Sequence, residues 1–73
     1  MKLIPKDAKR IKITFVCDLC GVDTICEADV PTEEVFIEAV CPVCYKEFSV
    51  KITPEGIEVP DVSDEDVSIE VIN

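Results

Sequence analysis

The chain has 73 residues, with sixteen acidic side chains against seven basic ones, no histidine and no tryptophan, for a formal net charge of −9. That length allows one domain with a core near the lower limit of self-sufficiency. The charge repels phosphate backbones, and the lack of histidine removes the commonest general base and proton shuttle. The three phenylalanines and one tyrosine leave few large side chains to fill a core.

Taken in order, residues 1–9 read as an irregular basic arm, with Pro5 discouraging regular structure. Residues 10–16 alternate, with Ile11, Ile13 and Phe15 on one face and Arg10, Lys12, Thr14 and Val16 on the other, the pattern of a half-buried strand. The first hook follows, Cys17-Asp18-Leu19-Cys20, and Gly21 lets the chain turn back. Residues 22–30 are expected to return as the partner strand. Val22, Thr24, Cys26, Ala28 and Val30 form its apolar side, and Asp23, Ile25, Glu27 and Asp29 point outward. A loop at 31–34, broken by Pro31, leads to a strand at 35–40 whose nearly continuous apolar character predicts a central position.

The second hook is Cys41-Pro42-Val43-Cys44, stiffened by the fixed φ of Pro42. Residues 46–52 run back with Phe48, Val50 and Ile52 on one face. Thr53-Pro54-Glu55-Gly56 is a turn signal, with Gly56 expected in the left-handed position, and residues 57–59 then pair with the preceding strand. Pro60 ends that pairing. Residues 61–66 read as an acidic linker. Residues 67–72 alternate, and such an end docks either on the domain's own sheet as an edge strand or on another molecule. The expected organisation is thus a basic arm at 1–9, a metal-bound domain at 10–60, and an acidic linker with a strand-prone tail at 61–73.

The two hooks form the pattern C-x₂-C-x₂₀-C-x₂-C. Each C-x-x-C can turn two thiolates toward one point, and two hooks brought face to face complete a tetrahedron of sulfurs suited to Zn²⁺. The candidate ligands are Cys17, Cys20, Cys41 and Cys44. Four thiolates leave no open coordination position, so the site is structural and the chain is not expected to be an enzyme. A structural Zn²⁺ contributes roughly 10–16 kcal/mol in zinc-finger peptides, more than so small a core supplies, which makes the metal a condition of folding. With four thiolates and one Zn²⁺ added, the net charge of −9 becomes about −11. Disulfides are the competing use of five cysteines. The odd count, the hook spacing and the lack of an apolar leader in residues 1–5 argue for a reducing, cytoplasmic setting instead. No run approaches membrane-spanning length. Cys26 falls on the apolar side of its strand and reads as a buried free thiol.

The apolar run before each hook, the paired cysteines and Gly21 resemble the zinc ribbon family of small β modules over about residues 10–52. The resemblance implies an all-β, metal-bound domain with a hairpin rising from each hook, to which a short C-terminal hairpin or strand is added here. One position departs from it: Tyr45 stands where such ribbons often carry glycine. The Cys-x-x-Cys-Gly and Cys-Pro-x-Cys halves also resemble rubredoxin, which implies iron and electron transfer.

Three functions follow from these readings. The first is a structural-zinc module that binds a protein partner, including a second copy, through an edge strand or the C-terminal tail. The second is a nucleic-acid-associated ribbon using Lys6, Lys9, Arg10 and Lys12. The arm holds no aromatic residue to stack on bases, and residues 21–73 carry fourteen acids against Lys46 and Lys51. The third is an iron electron carrier. The first is preferred.

Overall fold

In the computed structural model, which describes residues 1–72, seven strands form two antiparallel sheets. The strands are β1 (Lys2–Leu3), β2 (Arg10–Val16), β3 (Asp23–Asp29), β4 (Val35–Val40), β5 (Glu47–Ile52), β6 (Gly56–Glu58) and β7 (Val67–Val71). One sheet has the order β1-β6-β5-β4 and the other β3-β2-β7. No helix of the described residues is long and apolar enough to cross a membrane.

The core follows the period of two. Ile11, Ile13 and Phe15 of β2 face Phe48, Val50 and Ile52 of β5, and Ile57, Val59 and Val67 close the cluster. On β3, Thr24 is buried and Cys26 and Ala28 are half-buried, while Asp23, Ile25, Glu27 and Asp29 face out. The outer face of β2 is where its bases go. Arg10 bonds Asp29 at 3.2 Å, and Lys12 stands in register with Glu27 on one side and Glu70 on the other.

The two hook-bearing hairpins repeat at an offset of 24 residues, as the registers Val16↔Asp23 and Val40↔Glu47 show. Below those pairs, Phe15 faces Thr24 in one hairpin and Ala39 faces Phe48 in the other. Each hairpin thus contributes one ring and one small residue, in opposite order. The rings meet edge-to-face with centroids 4.9 Å apart at 74°, an arrangement that suits the aromatic quadrupoles.

Thr24 is an exception in this core, because its buried Oγ1 has no hydrogen-bond partner among the described residues. A buried hydroxyl left in that state costs about 1–3 kcal/mol. Thr24→Val keeps the shape and β-branching and is expected to raise the stability of the protein by about 1 kcal/mol. Guanidinium unfolding measures this. A lower midpoint would mean that the hydroxyl has a partner after all.

Four expectations are corrected. The strand at 35–40 is an edge rather than a central strand, because β5 pairs on its other side with β6. Phe36 and Val40 are exposed because they alternate onto the outer face of that strand. The arm at 1–9 is not irregular throughout, since Lys2 and Leu3 pair with Ile57 and Gly56 and extend the sheet. Gly56 does not take a positive φ. Glycine is needed there for close approach: a Cβ would lie 2.6 Å from the Lys2 carbonyl oxygen and 2.8 Å from the Met1 side chain. The turn is fastened instead by the Thr53 hydroxyl, which donates to the Gly56 carbonyl and accepts from the Gly56 N–H, both at 3.0 Å. The acidic segment is not wholly linker either, because Asp64–Asp66 form a 3₁₀ turn and the Met1 amine reaches the Asp64 carboxylate. As for the tail, Val67–Val71 docks at home, antiparallel to β2.

Candidate metal centre

The alternation that builds each strand also places the first cysteine of each hook. Cys17 continues the inward row Ile11, Ile13, Phe15, and Cys41 continues Ile37 and Ala39, so both are buried. The second cysteines, Cys20 and Cys44, lie one turn further out and are exposed. Each hook closes with the same two backbone bonds. The Cys17 N–H donates to Val22 O at 3.0 Å and the Gly21 N–H to Cys17 O at 2.9 Å. The Cys41 N–H donates to Lys46 O and the Tyr45 N–H to Cys41 O, both at 3.0 Å.

Both turns need a left-handed residue in the fifth position. Gly21 supplies it at φ 72° without cost, and Tyr45 adopts it at φ 61°. The departure at Tyr45 therefore leaves the geometry of the second hook the same as the first. For a bulky side chain this conformation costs about 1–2 kcal/mol.

The four sulfurs of Cys17, Cys20, Cys41 and Cys44 all lie within 4.8 Å of one another. Two cross-hook pairs stand at 3.6 Å (Cys17–Cys44) and 3.3 Å (Cys20–Cys41), and none of the four is in a disulfide. A tetrahedral centre with metal–sulfur bonds of about 2.3 Å needs sulfurs about 3.8 Å apart. The cage is close to that size, so the donors fit a tetrathiolate metal ion.

Backbone N–H groups aim at the sulfurs in the same repeating way. Those of Cys44 and Val43 outweigh burial at Cys41 and bring its thiol down to about 6. At Cys17, burial works upward, but the N–H groups of Cys20 and Leu19 prevail and the pKa falls. The Val22 N–H favours the Cys20 thiolate, yet the Cys41 sulfur, burial and the remaining sulfurs push it up to about 12. The Lys46 N–H does the same for Cys44, and burial together with Cys17 and Cys41 outweighs it, so that pKa rises. Each buried, acidic thiol therefore faces an exposed, basic one across the cage. A metal ion must expel the protons these pairs retain, and its affinity therefore falls with falling pH.

A further contact ties the hooks together. Lys46 Nζ donates to both carboxylate oxygens of Asp18, at 2.7 and 3.0 Å, and lies 5.0 Å from the centroid of the Phe48 ring. The Lys46 ammonium beside Asp18 holds that carboxyl below its usual range. The pairing of Asp18 with Lys46 had no signal in the sequence beyond a charge in each hook.

The other candidate residues do not gather. Lys6 and Lys9 lie in the segment between β1 and β2, and Arg10 and Lys12 stand on the outer face of β2 beside acidic partners. Cys26 lies half-buried on β3 opposite Ile13, outside the four-sulfur cage, and burial pushes its thiol up. No protein-family model matches this chain, and comparison with curated proteins and with solved structures finds no match.

Proposed function

We propose that this chain is a small zinc ribbon that serves as a protein-interaction module or accessory subunit of a larger assembly. Cys17, Cys20, Cys41 and Cys44 hold its Zn²⁺. The carrying observation is the cage of four sulfurs within 4.8 Å, contributed in pairs by two hairpins that belong to different sheets. A shell filled by four thiolates has no position for water or substrate, so the ion would act by fixing the hairpins rather than by catalysis. The surroundings of the basic residues favour a protein over a nucleic acid: Arg10 is engaged by Asp29, and Lys12 is flanked in register by two glutamates.

Elemental analysis of the purified protein tests the metal, and fluorescence anisotropy with DNA and RNA at physiological salt tests the partner class. The expected results are one zinc per chain with little iron, and no nucleic-acid affinity tighter than tens of micromolar. A red, iron-loaded protein would move the reading to a rubredoxin-like electron carrier. Sub-micromolar, steeply salt-dependent binding would move it to nucleic acid.

A further inference from the structure

Five large apolar side chains stand out from the hook end of the two hairpins. Val16 and Leu19 are 40% and 70% exposed, and Val40, Val43 and Tyr45 are 47%, 58% and 75% exposed. Val16 and Val40 are equivalent across the 24-residue offset, as are Leu19 and Val43. Tyr45 is the equivalent of Gly21. The core uses none of them.

Tyr45 carries the most information. It holds a left-handed conformation that glycine supplies without strain in the sister hook, yet its side chain stays largely exposed and outside the core cluster. A large side chain kept exposed on a strained backbone points to a use outside folding. Tyrosine is also among the residues that most often anchor interfaces.

The rim of this apolar collar is acidic. Val16 stands across the ladder from Asp23, and Val40 from Glu47. Asp18 projects from the first hook and already binds Lys46, the only cation in residues 16–23 and 40–47. Those two segments carry a net charge of −2, and a tetrathiolate Zn²⁺ centre would bring this to about −4. A second copy would present the same end of a chain of net charge −9, and phosphate would meet the same repulsion.

We propose that the hook end is the docking surface of this domain. Its occupant is a positively charged protein segment whose lysine or arginine residues flank apolar anchors. The apolar side chains would cover Leu19, Val43 and the Tyr45 ring, and the cations would meet Asp23 and Glu47. This rests on the reading of the chain as a metal-bound interaction module and names that module's surface and the chemistry of its partner.

The test titrates ¹⁵N-labelled, zinc-loaded protein with three synthetic peptides of one length: leucine–lysine, leucine–glutamate and serine–lysine. The leucine–lysine peptide should shift the amide resonances of residues 16–21, 40–41 and 43–46, and the other two should leave them in place. Tyr45→Gly should weaken that binding roughly tenfold, with the same zinc content and an equal or higher unfolding midpoint. Shifts centred elsewhere, equal binding of all three peptides, undiminished binding by Tyr45→Gly, or concentration-dependent shifts without peptide would each overturn the proposal. Zinc-loaded protein that ignores the leucine–lysine peptide overturns the docking surface alone. A chain that purifies without metal yet binds that peptide at the hooks overturns the metal reading and keeps the surface.

Discussion

Cys41→Ser is expected to leave the chain without its metal and largely unfolded, as seen in a collapsed far-ultraviolet β signal and zinc content near zero. Cys41 is fully buried, ends the inward row of β4 and faces Cys20 at 3.3 Å. Serine removes the thiolate whose negative charge the Cys44 and Val43 N–H groups stabilise, and it opens the tetrahedral shell. What remains is a small core of mostly β-branched side chains, and domains of this size have little stability to spare. Cys26→Ala is the internal comparison. It should keep one zinc and lose about 1 kcal/mol, the effect of trimming a half-buried side chain. Zinc loss in the Cys26 variant, or a folded Cys41→Ser protein with full zinc, would overturn the ligand assignment.

Phe48→Ala should be the most damaging core substitution outside the cage, at about 3–5 kcal/mol. The ring is fully buried, meets Phe15 edge-to-face and lies beneath the Lys46 ammonium that joins the hooks. Its ladder partner is Ala39, too small to move into the space. The cavity would therefore persist directly below the second hook. The matched control is Phe36→Ala on the outer face of β4, 63% exposed, where the change should stay within about 0.5 kcal/mol. Guanidinium unfolding of the zinc-loaded forms separates the two. Equal losses at both positions would contradict the packing described here.

Much of this architecture could be read from period-two alternation alone. Residues Arg10 to Val16 and 46–52 show one clean apolar face each, so a slip of one residue would bury charge, and their inward rows came out as expected. The four-cysteine cluster was legible for a related reason: the first cysteine of each hook falls on the inward parity of its strand, and the C-x-x-C step returns the second beside it. The place of β4 was not legible, because its apolar residues lie on both faces and such a run reads as buried on both sides. Sheet order was decided instead by β6 and β1, which are three and two residues long and too short to show a period. The reason for Gly56 was hidden as well. It depends on the approach of the Lys2 carbonyl from the far end of the chain, and no local pattern records such a contact. Tyr45 is the reverse case: its residue type argued against a left-handed turn, and the closure of the second hook imposed one.

The proposed metal centre can be tested without any partner, by X-ray absorption at the zinc edge of the protein as purified. The account predicts one zinc per chain surrounded by four sulfur scatterers at about 2.3 Å, with no oxygen or nitrogen in the shell. A shell with fewer sulfurs and a light-atom ligand, or a protein that folds with no bound metal, would contradict it.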